Sequence, residues 1–195
     1  MENFEFTHEG KTYWYSRSMA VAAFVFFHDL TCDKWYILAN MRGPMVPNEN
    51  GKWNCICGYL DHNEGIKDCA YRELYEETGL KIFRSKEERP ELQLFRIDDD
   101  PKSSSKQNVT FQFVGVVEFD HGSINEWALR TSFKYMEPGE VEEIRFIPVD
   151  EVGKYKWAFG HDKILKKHLL KYTNTSFKWF DMSVPTFSKG EKKRG

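Results

Sequence analysis

Residues 58–80 read GYLDHNEGIKDCAYRELYEETGL, and this stretch decides the fold and the chemistry expected of the chain. Apolar or small residues recur at four-residue steps between Ile66 and Thr78, which predicts a helix over that segment. Gly79 follows at the position of a left-handed C-terminal cap, a conformation that glycine adopts without steric cost. We therefore expect a helix over Ile66–Thr78 that ends at Gly79.

Three glutamates of this predicted helix fall on one face. Glu73, Glu76 and Glu77 are spaced i, i+3 and i+4, so their carboxylates converge. They lie in the last two turns, where the negative end of the helix dipole disfavours each carboxylate by roughly 0.3–1 kcal/mol. A solvated acidic face is the ordinary interpretation of such a cluster. A bound cation would compensate the repulsion, and oxygen-only ligands favour Mg²⁺ or Mn²⁺ over Zn²⁺.

The wider spacing around these glutamates is more specific. The fixed positions are, in chain order, Gly58, Glu64, Arg72, Glu73, Glu76, Glu77 and Gly79. Their spacing resembles the Nudix box, with each of its seven fixed identities present. The resemblance implies an α/β fold, a Nudix-type α/β/α sandwich with a mixed β-sheet, over about residues 18–170.

The resemblance also implies a reaction. Nudix hydrolases use a metal-activated water, and the expected reaction here is cleavage of a nucleoside diphosphate derivative of the ADP-ribose or nucleotide-sugar type. Glu73, Glu76 and Glu77 would bind Mg²⁺ or Mn²⁺, and one of them, or another glutamate, would accept the proton of the attacking water. Arg72 would orient Glu64 or another box carboxylate by charge-assisted hydrogen bonds.

Further site positions lie outside the fixed identities. In relatives, the residue before the box glycine offers its backbone carbonyl to the metal; here it is Cys57, preceded by Ile56, where the family usually has Gly after Pro. Glu140 and Glu143 precede a predicted strand, as does the family's additional catalytic or metal-binding glutamate. Ordinary loop charges remain the alternative for both residues.

Aromatic residues are candidates for stacking on a nucleobase, although most of them fit a hydrophobic core equally well. The substrate-binding candidates are Trp53, Tyr59 and Phe113, together with Arg42 at the start of a loop rich in Gly and Pro. Residues 157–162, WAFGHD, resemble a segment of some Nudix proteins that act on adenine-containing diphosphates.

The rest of the chain predicts a sheet and one later helix. Apolar runs and alternation indicate an N-terminal hairpin at 4–7 and 12–15, and strands at 18–28, 34–41, 53–57, 80–83, 91–97, 109–119 and 144–149. A second helix is expected at about 159–172, and 98–108 reads as a polar loop. Residues 1–172 are expected to form one domain that includes the hairpin, and 173–195 an extension with a disordered end.

The composition limits which binding partners and which cellular compartment are expected. The 195 residues carry a net charge of −2, which provides no overall field to attract nucleic acid or anionic lipid. No apolar run is long enough to span a bilayer, and the start MENFEFTHEG is not typical of a secretory signal. The four cysteines are expected to be reduced, which predicts a cytoplasmic protein. The expected partner is a small nucleotide; nucleic acid and membrane are not expected, and a homodimer is left open.

Two alternatives to hydrolysis of a nucleotide derivative stay open. One is a nucleotide-sensing Nudix module without catalysis, although such modules often lose box glutamates and carry a DNA-binding appendage, whereas this box is intact. The other is an RNA decapping pyrophosphohydrolase, for which the basic tail at 189–194 would hold RNA.

Overall fold

The structure is a computed structural model that describes residues 4–15, 17–84, 86–87, 89–99, 108–119 and 139–170. The strands are β1 (Phe4–His8), β2 (Lys11–Tyr15), β3 (Met19–Asp29), β4 (Lys34–Arg42), β5 (Trp53–Asn54), β6 (Ile56–Tyr59), β7 (Gln93–Asp98), β8 (Val109–Phe119) and β9 (Val141–Pro148). The helices are α1 (Ile66–Thr78) and α2 (His161–Ile164), which continues as a π-helical turn (Leu165–Leu169). Two 3₁₀ helices cover Lys81–Phe83 and Val149–Lys154.

Strand β3 is the centre of the sheet. Its residues from Ala20 to Phe27 are all buried, as expected for a strand that is covered on both faces. One edge of β3 pairs in parallel with β8, and the other edge pairs antiparallel with β6 and then with β4. β4 also pairs with β5 and β9, and β7 pairs with β8, so the described residues form a seven-stranded mixed sheet.

Alternate residues of β3 supply two separate hydrophobic layers. Val21 and Phe27 point to the side covered by α1, whereas Phe24 and Phe26 point to the side covered by the residues that follow α2, including Leu165. Full burial of a side chain of this size stabilises the fold by roughly 1.5–3 kcal/mol. The predicted α/β/α sandwich with a mixed sheet is confirmed.

The predicted N-terminal hairpin is confirmed as a separate two-stranded sheet of β1 and β2. Glu9 and Gly10 at its turn have φ values of 50° and 74°, the sign that a type I′ turn requires at both positions. The rings of Phe6 and Tyr13 stack across the two strands with centroids 5.5 Å apart, and both side chains stay about half exposed.

The prediction of a strand at 80–83 is wrong, because this segment forms a 3₁₀ helix directly after the Gly79 cap. Leu80 and Phe83 are both buried in the layer beneath α1. A 3₁₀ turn places residues three positions apart on the same side, so this turn buries both side chains, whereas a strand would point them to opposite faces.

The last predicted strand begins earlier than expected, at Val141, because Val141 is buried against the sheet and extends the pairing with β4. Glu143 therefore lies inside β9 and does not precede it. The predicted strand 53–57 is divided into β5 and β6 at Cys55. The later helix starts at His161, after Gly160 adopts a left-handed φ of 69°.

Some predictions lie outside the described residues, namely those on residues 171–195 and most of the polar loop, at 100–107. Within the part that is described, no helix combines the length and the apolar character needed to cross a membrane.

Candidate active site

Helix α1 carries its glutamates next to the face that packs on the sheet. Cys69, Ala70 and Leu74 bury that face, while Glu73 lies against Gly58 on β6 and Glu77 accepts a hydrogen bond from Asn40 on β4. The N–H of Gly79 donates to the carbonyl of Tyr75 (2.7 Å) with a left-handed φ of 66°. The predicted bounds and the predicted cap of this helix are confirmed, which places the acidic residues beside the end of β6.

Arg72 gathers three box glutamates. Its Nε and Nη2 donate to the two carboxylate oxygens of Glu64 at 2.8 and 2.9 Å, and its Nη1 donates to Glu73 (2.8 Å) and Glu76 (2.9 Å). These hydrogen bonds, led by those to Glu64, raise the pKa of Arg72 further above its ordinary value. The same Arg72 contact lowers the pKa of Glu64. The expected hydrogen bonds between Arg72 and Glu64 are therefore present, and the orienting role of Arg72 stays a prediction.

Gly58 lies against the carboxylate of Glu73. A Cβ atom added at Gly58 would lie 2.0 Å from Oε1 of Glu73, far inside any van der Waals contact. The box glycine therefore leaves room for this position of the Glu73 carboxylate over the end of β6, and a larger residue would displace the carboxylate.

Glu77 has a different environment from the other box glutamates. Its carboxylate accepts a hydrogen bond from Nδ2 of Asn40 on β4 (2.8 Å) and one from the backbone N–H of Cys57. Burial of the carboxylate, and next the charge of Glu73, raise the pKa of Glu77 well above its ordinary value. Two neighbouring carboxylates that disfavour each other's ionisation leave a site in which positive charge is favoured.

The donor set fits a hard divalent cation, because it consists of carboxylate oxygens and the repulsion between Glu73 and Glu77 would be relieved by one. Within the described ranges, no three His, Cys, Asp or Glu side chains already stand in a metal-ligand arrangement. Ligation would compete with Arg72 for the carboxylates of Glu73 and Glu76.

Cys57 lies between the box and β5. Its Sγ accepts a hydrogen bond from Nδ2 of Asn54 (3.5 Å), and burial, followed by the charge of Glu77, raises its pKa to about 12. The side chain is therefore a neutral thiol at physiological pH, which argues against a thiolate nucleophile. Metal ligation by the Cys57 carbonyl stays a prediction.

The structure does not bring Glu143 to the box. Glu143 pairs with Met41, whose side chain packs in the layer on the α2 side, so Glu143 lies on the sheet face opposite α1. Its carboxylate accepts a hydrogen bond from Nε of Arg145 (3.0 Å). Glu140 is exposed just before β9, and its carbonyl accepts a hydrogen bond from the N–H of Gly43 (2.7 Å).

The substrate-binding candidates divide by burial. Phe113 belongs to the core beneath α1, and Trp53 to the core on the α2 side, so neither ring is available as an open stacking surface. Tyr59 is about half exposed, and its carbonyl accepts a hydrogen bond from Arg72 (3.0 Å). Arg42 places its guanidinium 4.7 Å from the ring centroid of Phe159.

Sequence reasoning missed Asn40 and His161. Both are buried polar residues, and an asparagine inside the apolar run of β4 was the available signal for the first. Nδ1 of His161 accepts a hydrogen bond from the N–H of Cys55 (3.0 Å), so the neutral ring carries its proton on Nε2. Burial lowers the pKa of His161 to about 4.

A pH dependence of stability follows from His161. The ring of His161 binds a proton near pH 6.5 in the unfolded chain but only near pH 4 in the folded protein. The stabilisation of the folded protein by the neutral ring is therefore complete above pH 6.5 and is lost as the pH falls towards 4. Between pH 6.5 and 4 this effect lowers the free energy of unfolding of the wild type by about 3 kcal/mol, and we expect His161→Gln to abolish that decrease. Urea unfolding of both proteins between pH 4 and 7 measures it, and parallel stability curves would contradict the burial of a neutral ring.

Comparison with known proteins agrees with this geometry. The family model of the NUDIX domain matches residues 19–168. A mutT/nudix family protein from Listeria innocua has 24% identity and a TM-score of 0.56, over 78% of this chain and 92% of that one. The NUDIX domain of Shewanella oneidensis NrtR, complexed with ADP ribose, has 15% identity and a TM-score of 0.55, over 78% of this chain and 86% of that one.

A longer protein also matches. A bifunctional NMN adenylyltransferase/ADP ribose pyrophosphatase from Francisella tularensis, complexed with AMP and Mn ion, has 20% identity and a TM-score of 0.51, over 77% of this chain but 40% of that one. A comparison with curated protein sequences returned no significant match. The structural likenesses show the fold, and the family model spans the sheet, α1 and the box; the chain therefore belongs to the Nudix family.

Proposed function

We propose that the protein is a Nudix pyrophosphohydrolase that uses Mg²⁺ or Mn²⁺ to cleave the diphosphate linkage of a nucleoside diphosphate derivative. The observation that carries this proposal is the assembled box, in which Arg72 holds Glu64, Glu73 and Glu76 beside Glu77. The family match supports hydrolase chemistry. The substrate class and the metal go beyond the family match.

The glutamates of the site have two proposed roles, which are binding of the cation and transfer of a proton. A bound divalent cation would neutralise phosphate oxygens and would lower the pKa of a bound water. Glu73, Glu76 and Glu77 would hold that cation, and one of them, or a glutamate outside the box such as Glu140, would accept the proton of the water. Arg72 is a positioning residue, because its four hydrogen bonds to the three glutamates set the direction of their carboxylates.

Two of the similar structures support the proposed class of substrate. The NrtR domain was solved with ADP ribose, and the Francisella tularensis protein carries an ADP ribose pyrophosphatase. Both point to ADP-ribose or a nucleotide sugar as the first compounds to try. Arg42 and Tyr59 are the substrate-binding candidates that are open to such a ligand.

A substrate panel tests the proposal. The full chain is incubated with ADP-ribose, sugar nucleotides, oxidised nucleoside triphosphates and capped RNA, each with Mg²⁺, with Mn²⁺ and with chelator, and the products are identified. We expect metal-dependent release of a nucleoside monophosphate from one of the diphosphates. The absence of metal-dependent turnover across the panel would contradict the proposal.

A nucleotide-sensing module is the second candidate, because NrtR is among the similar structures and was also solved with a 27mer DNA. Binding of ADP-ribose without turnover would favour this candidate. A cytoplasmic location and a homodimer stay predictions.

Asn40 provides a further test of the proposed metal site. Asn40→Leu removes the hydrogen bond to Glu77, and loss of such a support for a metal ligand typically lowers metal affinity on the order of 10–100-fold. Asn54 is the matched control, because it is equally buried and pairs with Asn40 across β4 and β5, but donates to Cys55 and Cys57. Titration with Mn²⁺ followed by electron paramagnetic resonance measures the affinity. Equal affinity of Asn40→Leu and Asn54→Leu for Mn²⁺ would contradict the role of Asn40 as a support for the metal ligand Glu77.

A further inference from the structure

Gln112 on β8 is a buried amide inside the sheet. Its side chain is 3% exposed, and its Oε1 has no hydrogen-bond partner among the described residues. An unpaired buried polar group typically costs roughly 1–3 kcal/mol, and most buried polar groups in native structures do have a partner. The position of Gln112 therefore favours a hydrogen-bond donor that the described part of the chain does not supply.

Gln112 lies in a row of side chains on the α2 side of the sheet. The next residue, Phe113, belongs to the core beneath α1, so Gln112 points to the opposite face. Gln112 pairs with Ala22 on β3 and with Arg96 on β7. Ala22 in turn pairs with Cys57 on β6. These four residues, Arg96, Gln112, Ala22 and Cys57, are the inner row.

A second row lies nearer the end of the sheet. Thr110 precedes Gln112 by two positions, so it points to the same face. Thr110 pairs with Ala20 on β3 and with Asp98 on β7. Ala20 pairs with Tyr59 on β6, which completes the outer row. The two rows thus place polar side chains on β7 and β8, and the small side chains of alanines on β3.

The outer row begins beside the box. The carbonyl of Tyr59 accepts a hydrogen bond from Arg72 (3.0 Å), and the preceding residue, Gly58, lies against Glu73. The hydroxyl of Tyr59 accepts a hydrogen bond from Nδ2 of Asn108 (3.0 Å), while its side chain stays about half exposed. Neighbouring strands are about 4.8 Å apart, so β8 lies about 10 Å from β6 across the sheet. A ligand whose diphosphate lies at the box can therefore extend over both rows.

Arg96 and Asp98 keep capacity for further hydrogen bonds. Their side chains are 35% and 27% exposed, and Nη2 of Arg96 lies 3.5 Å from Oδ2 of Asp98, which is longer than a normal hydrogen bond. Nη1 of Arg96 donates to Nε2 of His168 (3.3 Å) in the last helical turn. The two opposite charges cancel, so this pair does not favour a phosphate. Hydroxyl groups both donate and accept, and they match a carboxylate, a guanidinium and an amide.

We propose that Asp98, Arg96 and Gln112 form a subsite for the hydroxyl groups of a sugar that is joined to the diphosphate at the box. This inference rests on the proposed function and narrows its substrate class to diphosphates that carry a sugar beyond the nucleoside. Oε1 of Gln112 is covered in this structure, so sugar binding includes a change of the Arg96 rotamer, a kind of movement that is common at binding surfaces. Tyr59 and Ala20 lie between this subsite and the box.

The test compares phosphates with and without a sugar. Ribose 5-phosphate, glucose 1-phosphate and inorganic phosphate are titrated calorimetrically into the full chain in the presence of Mn²⁺. None of them contains a diphosphate linkage, so binding is measured without turnover. We expect wild type to bind one of the sugar phosphates about 10-fold or more tightly than phosphate. Asp98→Asn should reduce this preference about 10-fold and Gln112→Leu about 3-fold or more, with the affinity for phosphate unchanged.

The chain offers a matched control for each variant. Asp99→Asn removes the same charge from the next residue, which is exposed. Gln93→Leu replaces a partly buried glutamine of the same strand, which pairs with Val114 on the α2 side, further from the box. Both control variants should keep the sugar preference of wild type.

The melting temperature separates sugar binding from packing. Because Oε1 of Gln112 has no partner among the described residues, Gln112→Leu is expected to match or exceed the melting temperature of wild type while it loses sugar preference. A lower melting temperature would assign the amide to packing and remove it from the subsite. The subsite is refuted if wild type binds all three ligands equally, or if Asp98→Asn and Gln112→Leu weaken none of them or all of them alike.

The substrate panel distinguishes failure of this subsite from failure of the proposed function. Turnover of a diphosphate by a protein that shows no sugar preference rejects the subsite alone. Inactivity on the whole panel, with a sugar preference that is lost in Asp98→Asn, rejects hydrolysis alone.

Discussion

Replacing Glu77 by Gln is expected to lower kcat/KM on the order of 10³-fold. Effects of this size are typical when a group that contacts the reacting atoms is removed. Burial is the largest cause of the raised pKa of Glu77, and the Gln amide keeps its size but removes the charge that would hold the cation. Steady-state turnover of the substrate found in the panel measures the loss.

The same change is expected to raise stability without metal. Because the pKa of Glu77 is raised in the folded protein, the unfolded chain releases this proton first as pH rises above about 4.5, and stability falls with rising pH. Gln does not titrate, so the advantage of Glu77→Gln grows from pH 4.5 upwards. Mg²⁺ should raise the melting temperature of wild type but not that of the variant.

Asp68→Asn is the matched control for Glu77→Gln. Asp68 lies in the first turn of α1, is exposed, and carries the same charge on the same helix. It should leave turnover and the response to Mg²⁺ unchanged. Equal loss of turnover in the two variants would show that the total charge of the helix, and not the carboxylate of Glu77, is required.

Replacing Arg72 by Lys is expected to cost roughly 1.5–3 kcal/mol of unfolding free energy, the range for hydrogen bonds to charged groups, because lysine keeps the positive charge but loses several of these hydrogen bonds. A lysine ammonium cannot reproduce the planar donors that bind both oxygens of Glu64 while also reaching Glu73 and Glu76. Glu64 and Glu73, whose side chains are largely buried, would each lose hydrogen-bond donors. Urea unfolding measures the change, and activity should fall with it.

Arg84→Lys is the control for Arg72→Lys. Arg84 is exposed, and its guanidinium lies 5.6 Å from the ring centroid of Tyr75. Its substitution should change the free energy of unfolding by well under about 1 kcal/mol. A loss of the same small size in Arg72→Lys would contradict the view that Arg72 organises the box.

The box helix and the longest strands follow directly from local sequence. Four-residue periodicity and Gly79 predict the observed bounds of α1, and the apolar run of β8 predicts Val109–Phe119 without error. In these segments local preference and tertiary packing agree, so the pattern is sufficient. The turn at 80–83 shows the limit, because a short apolar run fits a strand and a 3₁₀ turn equally well until the buried partners are known.

By itself the sequence determined the family, the box and the helix that carries it, because these depend on spacing along one continuous segment. Only the tertiary structure decided which distant residues join the box. A one-residue shift in a strand moves a side chain to the other face of the sheet, which is why Glu143 lies away from α1 while Asn40 reaches Glu77. The positive φ of Phe159 likewise depends on contacts with β5 and with Cys55, which no local pattern predicts.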